Sequence, residues 1–481
     1  GGGGGVREDN PFKDMPEDEP EEPPRREPKE GDAAEGAVEG ELFAGENTGI
    51  NFDAYEDIPV ETSGENCPEP ISSFDDIETS LPRSLLQNIK RCKYTKPTPV
   101  QRYAIPISLA QRDLMACAQT GSGKTAAFMF PIVSGIIQRG LQSSGRARKA
   151  FPLALVLSPT RELASQIHEE GRKFTYQTGI RPVVVYGGAP VVNQLREIER
   201  GCDILIATPG RLSDLIERAR VSLSRVHYLA LDEADRMLDM GFEPQIKKIV
   251  GQIRPDRQTL MWSATWPKDV QTISRDFLTD AYKVVIGSSE LKANHMIQQI
   301  VEVVQEHEKY PKLIKLLEQV LNPSAPDPGK TLIFVETKRN CDNVCRMLRM
   351  DGWPALAIHG DKNQQERDWV LQEFKTGKSP IMLATDVAAR GLDVKDIKVV
   401  VNYDFPGTCE DYVHRIGRTG RAGATGVSYT FFTSANAKHA RALLHILQEA
   451  NQVIPPPLQQ MSLMGGGGGG GFRDRGRRGG G

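Results

Sequence analysis

The segment AQTGSGKT at 118–125 has the residue types and spacing of a loop that binds the phosphates of a nucleotide. Its glycines let backbone N–H groups wrap phosphate oxygens, Lys124 adds positive charge at the β and γ positions, and Thr125 offers a hydroxyl to Mg²⁺. The alternative is a glycine-rich turn without a ligand. It is disfavoured because the apolar stretch DLMACA precedes the loop and a predicted helix, AAFMFPIVSGII, follows it. The predicted nucleotide-contacting residues of the loop are Ala118, in place of the usual glycine, Gln119, Thr120, Gly121, Ser122, Gly123, Lys124 and Thr125.

The string DEAD at 232–235 places two carboxylates directly after the apolar stretch YLAL. Asp232 is suited to hold Mg²⁺ through water, and Glu233 to orient or deprotonate an attacking water. Alone, such a string is more often a solvated strand end. Together with the upstream phosphate loop, it predicts a metal and general-base pair for attack on a γ-phosphate.

Short runs rich in Val, Ile and Leu alternate with stretches of helical periodicity, which predicts βαβ units around buried parallel sheets. The chain therefore has an α/β fold class, with two domains and many polar residues directly after strands, where open α/β sheets bind ligands. The predicted strands of the first set are 153–158, 183–188, 204–208, 228–235 and 259–265. Those of the second set are 331–337, 355–360, 381–386, 399–404 and 427–432.

The two sets of strands and the composition of the termini predict six regions. Residues 1–47 are rich in Pro, Glu, Gly and Asp, and 451–481 end in a Gly/Arg-rich stretch, so both are expected to be disordered. The polar stretch 287–296 has the composition of a hinge. The predicted organisation is an acidic tail 1–47, an N-terminal extension 48–71, domain 1 over 72–286, a hinge 287–296, domain 2 over 297–450 and a tail 451–481.

The 481 residues carry a formal net charge of −3, distributed unevenly. Residues 7–46 hold fifteen acidic and five basic side chains, a balance of −10, which leaves +7 on the rest. A mildly basic body suits a polyanion partner, although solvated surface charge explains it equally well. The Gly/Arg-rich tail, with Arg475, Arg477 and Arg478, is suited to weak RNA binding or to acting as a spacer.

Seven scattered cysteines lack the CxxC spacing of a zinc site and are expected to be reduced thiols of an intracellular protein. No apolar run approaches the roughly 20 residues that cross a bilayer, so no membrane partner is expected. The chain starts at Gly1 without a methionine and is expected to be a fragment or a processed form.

With these motifs in place, residues 72–450 resemble the DEAD-box RNA helicases. Further strings that carry the resemblance, in family order, are YTKPTPVQ (94–101), PTRELA (159–164), YGG (186–188), TPGR (208–211), SAT (263–265), ATDVAARGLD (384–393) and HRIGRTGRAG (414–423). The stretch 47–64, with RDLMACAQTGSGKTAAF, is similar to the Belle and Vasa subgroup. The resemblance implies two tandem RecA-like domains that close on ATP, Mg²⁺ and RNA together.

Carried onto this chain, the resemblance implies that Tyr94 stacks on adenine, Gln101 reads its edge and Phe74 supports the pocket. A flat aromatic and an amide that donates and accepts suit the choice of adenine. Lys96 stands where some relatives have arginine. In domain 2, the resemblance makes Arg418 and Arg421 arginine fingers, with Asp393 near the ribose. Ser263, Thr265 and His414 are implied to couple the nucleotide and RNA sites.

RNA is implied to lie across both domains, bound through phosphates and 2′-hydroxyls and with little base reading. Without the ordered motifs, turn chemistry would explain the Thr and Gly positions better. The implied RNA contacts are Pro159, Thr160, Arg161, Gly187, Gly188, Thr208, Gly210, Arg211, Thr337, Gln364, Arg367 and Thr385.

Three hypotheses for the function follow. The first is an ATP-dependent RNA helicase that separates short duplexes, in translation initiation or ribonucleoprotein remodelling, with proteins of those assemblies as partners. The second is an ATP-gated RNA clamp or scaffold of ribonucleoprotein granules. The third, a P-loop kinase or DNA translocase, lacks support because no motif supplies a phosphoacceptor pocket. A cytoplasmic location is expected, with granules or nuclear shuttling as alternatives.

Overall fold

The computed structural model describes residues 42–43, 60–118, 122–140, 147–286, 297–321, 329–389, 394, 396–420 and 425–464. The predicted hinge 287–296 and most of both predicted tails lie outside these residues. So do five predicted site residues: Gln119, Thr120, Gly121, Asp393 and Arg421.

Domain 1 is built on an eight-stranded sheet in the order β1-β8-β2-β7-β6-β3-β5-β4, parallel except for β1. Because βαβ crossovers cover both faces of such a sheet, its central strands are buried at every position. The strands are β1 (Val60–Ser63), β2 (Leu114–Cys117), β3 (Ala154–Leu157), β4 (Pro182–Val185), β5 (Ile204–Ala207), β6 (Tyr228–Leu231), β7 (Gln258–Ser263) and β8 (Tyr282–Ile286).

The helices of domain 1 cover the two faces of this sheet. Alternate residues of one strand enter different cores: Leu114 and Ala116 of β2 pack on one face, and Met115 and Cys117 on the other. The helices are α1 (Arg83–Arg91), α2 (Pro99–Leu109), α3 (Lys124–Gln138), α4 (Arg161–Phe174), α5 (Val191–Glu199), α6 (Pro209–Glu217), α7 (Ala234–Asp239), α8 (Glu243–Val250) and α9 (Lys268–Phe277), besides a 3₁₀ helix, Phe74–Ser80.

Domain 2 has a six-stranded parallel sheet in the order β11-β12-β10-β13-β14-β9. Its strands are β9 (Ile297–Val303), β10 (Lys330–Phe334), β11 (Ala355–Ile358), β12 (Ile381–Ala384), β13 (Ile397–Asn402) and β14 (Gly426–Phe432). Its helices are α10 (Lys309–Val320), α11 (Lys338–Met350), α12 (Gln364–Lys375), α13 (Asp386–Ala389), α14 (Cys409–Ile416), α15 (Ala440–Glu449) and α16 (Pro456–Met464), with 3₁₀ helices at Glu306–Glu308 and Ser434–His439. The predicted α/β class and both sets of strands are confirmed. No helix among the described residues is both long and apolar enough to span a bilayer.

The N-terminal boundary predicted for domain 1 is wrong. Strand β1, inside the predicted extension 48–71, pairs antiparallel with β8 and completes the sheet. Earlier still, Phe43, in the predicted disordered tail, packs edge-on against Tyr176 with ring centroids 5.6 Å apart. The short polar sequence VETS has no strand signal of its own, because its backbone pairs with an edge that only the folded domain presents.

The C-terminal boundary predicted for domain 2 is also wrong, because α16 lies within the predicted disordered tail 451–481. Leu458 of this helix is fully buried, in a core with Tyr412 of α14 and Leu443 of α15. Three consecutive prolines, 455–457, lie at the start of this helix. Proline is nevertheless tolerated in the first turn of a helix, where its missing N–H has no intrahelical acceptor.

Replacement of Leu458 by alanine is expected to destabilise domain 2 by about 2–4 kcal/mol, because it empties a buried site. Leu463 on the same helix is 79% exposed. Leu463→Ala is therefore the matched control, with an expected effect below about 0.5 kcal/mol. The measurement is denaturant unfolding of the full chain. Equal effects of the two substitutions would show that α16 does not pack on domain 2.

Candidate ATP and RNA sites

The phosphate loop connects β2 to α3, and residues of α2 hold its C-terminal part. Gly123 has φ +86°, and a Cβ there would lie 2.5 Å from Nε2 of Gln101, so this position requires glycine. Thr98 Oγ1 donates to the carbonyl of Ser122 at 2.7 Å, and Gln101 Nε2 donates to that of Gly123 at 3.1 Å. The loop therefore enters α3 in a fixed conformation, with its N–H groups at a helix N-terminus, where anions bind.

Both ends of the Gln101 amide take part in holding this loop. Its Oε1 accepts from the backbone N–H of Thr98 at 3.0 Å, while Nε2 bonds to Gly123. The structure thus places Gln101 between the start of α2 and the phosphate loop. Reading of the adenine edge by this amide stays a prediction.

The other residues predicted near adenine lie beside this loop. Tyr94 packs edge-to-face on Phe74, Phe130 and Phe174, with ring centroids 5.7–6.1 Å apart. The contact with Phe74 accords with a supporting role for that ring. Tyr94 is thus part of an aromatic core cluster, and its stacking on adenine stays a prediction, as does any nucleotide contact of the exposed Lys96.

Lys124 is the first residue of α3 and faces Asp232, which directly follows β6. Lys124 Nζ donates to the carbonyl of Ala118 at 3.2 Å and lies 3.9 Å from Asp232 Oδ1. Both side chains are buried. Burial raises the pKa of Asp232 to about 6, although the charge of Lys124 opposes the shift.

Glu233 is the last residue before α7 and is also buried. Its φ of +52° is a left-handed conformation that is unusual for a glutamate. Backbone strain of this kind concentrates at functional sites, where it fixes a side chain's direction.

Asp232, Thr125 and Glu233 supply oxygen donors of the kind that Mg²⁺ prefers, and the buried Asp232 carboxylate lies 3.9 Å from Lys124, beyond hydrogen-bond distance, so the residues fit this ion. Asp232 and the Thr125 hydroxyl would hold it. When bound, Mg²⁺ would supply charge neutralisation at the β- and γ-phosphate oxygens.

The raised pKa of Asp232 predicts an acid limb in catalysis. Below pH 6 this carboxyl is protonated and loses its charge for metal binding, so kcat/KM for ATP is expected to fall as pH drops through about 6.

The same raised pKa predicts a pH-dependent stability. The pKa of Asp232 in the folded chain exceeds the ordinary 3.8, so its ionisation lowers the free energy of unfolding as pH rises from about 4 to about 6. Asp232→Asn should therefore gain stability over the unsubstituted chain in that window. Thermal unfolding without nucleotide measures this, and a constant difference between pH 4 and pH 7 would contradict it.

The predicted coupling residues form a chain of contacts that crosses the cleft between the domains. Ser263 Oγ donates to the carbonyl of Thr265 at 2.8 Å, and Thr265 donates from N and Oγ1 to Asp235 Oδ2 at 3.0 and 2.8 Å. The same carboxylate oxygen lies 3.8 Å from Nε2 of His414 in domain 2. The DEAD motif, the SAT motif and His414 thus share one carboxylate, that of Asp235.

A second group of cross-cleft contacts joins the start of α4 to α12. Arg161 donates to both carboxylate oxygens of Asp368 at 3.0 Å, and Arg367 donates to Glu162 Oε1 at 2.7 Å. Gln364 donates to Asp368 at 2.7 Å. The structure therefore brings together predicted RNA-contacting residues of both domains: Arg161, Gln364 and Arg367.

The remaining predicted RNA contacts lie at strand ends and helix starts. Thr160 and Thr337 are N-caps that accept from the N–H groups of Leu163 and Asn340, so turn chemistry accounts for both residue types. Pro159 and Thr385 are buried. Arg211 donates to Gln194 and to the carbonyl of Ala189, and Thr208 accepts from the N–H of Gly187. A Cβ on Gly187, Gly188 or Gly210 would meet open space, so a strand could approach their backbone.

Sequence reasoning missed several carboxylates that pair with the motif arginines. Arg236, directly after DEAD, is buried and donates to Asp411 of domain 2 at 2.6 Å. Arg415 donates to both oxygens of Asp386 at 2.6 Å, within domain 2 and beside the buried Arg418. Arg236 adjoins a motif, Asp386 and Arg415 lie inside motifs, and Asp411 precedes one by three residues, so nearness to a motif was the available signal. Which arginine each carboxylate meets is decided only by the packing of the two domains.

Comparison with known proteins identifies the class that this site defines. The family model of the DEAD/DEAH box helicases matches residues 98–273, and that of the helicase conserved C-terminal domain matches 308–423. The chain belongs to the DEAD-box ATP-dependent RNA helicases, so it is an ATP-hydrolysing, RNA-binding enzyme.

Among relatives, the chain is 58% identical to DEAD-box ATP-dependent RNA helicase 30 of Arabidopsis thaliana, over 83% of this chain and 65% of that protein. It thus spans less than two thirds of that relative. It is 56% identical to ATP-dependent RNA helicase DBP2 of Debaryomyces hansenii, over 82% of this chain and 72% of that protein. The structure of Dbp5 of S. cerevisiae, bound to RNA and ADP BeF3, matches with a TM-score of 0.67 and 28% identity, over 80% of this chain and 95% of that one. These relatives support the family and do not single out the Belle and Vasa subgroup.

Proposed function

We propose that this chain separates short RNA duplexes locally, by closing its two domains on ATP and one RNA strand. The observation that carries the proposal is the meeting of Arg161 with Asp368, beside Gln364 and Arg367. Closure brings the predicted RNA contacts of both domains to one surface, and a strand bound there follows a path set by the protein. ATP hydrolysis and phosphate release would reopen the cleft.

Strand displacement tests this proposal with a short RNA duplex labelled on one strand. With ATP, we expect repeated rounds of strand displacement only from enzyme that can hydrolyse ATP. We also expect displacement to fall steeply as the duplex lengthens, because the opening is local. ATPase activity should rise on addition of RNA and not of DNA of equal sequence, since 2′-hydroxyls distinguish the two. Equal efficiency on long and short duplexes would contradict local opening.

A clamp or scaffold in ribonucleoprotein granules is the second candidate, favoured by the acidic and Gly/Arg-rich ends of the chain. If the C-terminal arginines bind RNA, deletion of 465–481 should weaken binding and reduce the salt slope by up to about 2 for three phosphate contacts. A tail that acts only as a spacer would change neither the affinity nor the slope.

The cellular role that fits these properties is translation initiation or messenger ribonucleoprotein remodelling, with proteins of those assemblies as partners. Because the protein would contact the phosphates and sugars of RNA and not its bases, the choice of transcript is left to such partners. We place the protein in the cytoplasm, with granules and nuclear shuttling as alternatives; its seven free thiols suit a reducing compartment. Crosslinking to RNA in cells, followed by sequencing, would test the role.

A further inference from the structure

A groove of about 640 Å³ lies on domain 2 between α11 and α12, beside the edge strand β11. Met350 and Trp369 line it with 80% and 56% of their surface exposed, next to Leu356 and Val370. Two large apolar side chains exposed in one groove make it a candidate interaction site. The ATP and RNA sites use none of these residues.

The groove also carries positive charge. Of its two carboxylates, Asp342 pairs with His359 at 2.9 Å and with Lys362 at 3.2 Å, and Glu366 accepts from the backbone N–H of Asn363. The remaining charged residues of the lining are Arg346 and Arg349, neither of which forms an ion pair with any residue that the structure describes. A ligand with carboxylates and a large apolar side chain would complement both features.

The position of the groove argues against RNA as its ligand. Arg367, which contacts Glu162 across the cleft, precedes Trp369 by two residues, so the two side chains point about 200° apart around α12. The groove therefore faces away from the predicted RNA surface and stays accessible when the domains meet.

The chain itself contains a segment of the required chemistry. Residues 11–22 read PFKDMPEDEPEE, in which six of the last nine residues are acidic and Phe12 and Met15 are the large apolar side chains. We propose that residues 11–22 of this chain dock in the groove, with Phe12 and Met15 on Trp369 and Met350 and the carboxylates on Arg346 and Arg349.

The distance to be spanned permits this docking. Phe43 is held on domain 1 by Tyr176, beyond the C-terminal end of α4. Tyr176 lies 15 residues after Arg161, which corresponds to about 22 Å along the helix. Arg161 contacts α12, and the groove lies on the far side of this helix, which is about 10 Å thick. The path to the groove is thus roughly 32 Å, whereas the twenty residues 23–42 reach about 65 Å when extended. The segment would therefore link an anchor on domain 1 to domain 2.

The test is photocrosslinking in the full chain, with p-benzoylphenylalanine at position 369 and mass spectrometry of the digested product. Because position 369 is exposed, an aromatic replacement keeps the fold. We expect a crosslink to residues 11–22 within one molecule, with a yield independent of protein concentration. Crosslinks to another copy, to added oligo-uridine, or to no part of 11–22 would each overturn the proposal.

Charge reversals then test the proposed ion pairs. Arg346→Glu with Arg349→Glu should lower the crosslink yield about fivefold to tenfold, and Arg339→Glu on the same helix, outside the groove, should leave it unchanged. Adding Glu17→Arg and Asp18→Arg to the double variant should restore the yield. Equal yields from the groove variant and the Arg339 control would overturn the assignment of these arginines.

Discussion

Replacement of Glu233 by glutamine is expected to lower kcat for RNA-stimulated ATP hydrolysis by about 10²–10⁴-fold, the usual contribution of a positioned general base. The amide keeps the size of the side chain and cannot accept the proton of the attacking water. Glu233 is buried, held in a left-handed backbone conformation and adjacent to Asp232, so no solvent-exposed carboxylate can replace it. The measurement is steady-state phosphate release with saturating RNA.

Two further variants make this result specific. Glu243→Gln, at the half-buried start of α8, where the carboxylate pairs with Lys247, should leave hydrolysis unchanged. Lys124→Ala should abolish turnover by a different route. It removes the positive charge that lies 3.9 Å from Asp232 and is placed to contact the β- and γ-phosphates, so nucleotide binding itself is weakened. Glu233→Gln should still bind a fluorescent ATP analogue. Unchanged phosphate release by Glu233→Gln would show that another group activates the water.

Loss of the ion pair between Arg236 and Asp411 is expected to weaken closure of the domains by about 2–3 kcal/mol, or roughly 30- to 150-fold in RNA affinity. The two residues lie in different domains, 2.6 Å apart and largely shielded from water. Truncation of one partner removes this contact from a charge that stays largely shielded from water, and this accounts for much of the cost. Arg236 keeps its pair with Asp239 at 3.2 Å. The measurement is anisotropy of labelled oligo-uridine with ADP–BeF3 and the variants Arg236→Gln and Asp411→Asn.

The double variant distinguishes a direct pair from two separate defects. If the residues interact across the cleft, the double variant should lose little more affinity than either single variant. Without nucleotide, when closure does not contribute, all three should bind RNA as the unsubstituted chain does. Strictly additive losses would show that this contact does not hold the domains together.

Much of the fold could be read from the order of residues, because its signals are local. The strands YLAL and ILIA are continuous apolar runs of a length that suits a strand covered on both faces, and the structure has them as β6 and β5. The phosphate loop, DEAD and the arginine motifs are contiguous strings whose backbone conformation is set within a few residues. Strand β1 and helix α16 were missed because their stability comes from β8 and from the core around Tyr412, which are remote in sequence.

By itself, the sequence determined the class of chemistry: a phosphate loop, a metal-binding aspartate and an adjacent base, in two α/β domains. Only the tertiary structure decided which charges meet. It turned Gln101 toward Gly123, paired Arg161 with Asp368 and Glu162 with Arg367, and placed Asp235 between Thr265 and His414. The physical reason is that a motif fixes the residue types over a few neighbouring positions, whereas an ion pair depends on the distance between atoms up to about 200 residues apart, which chain order does not specify.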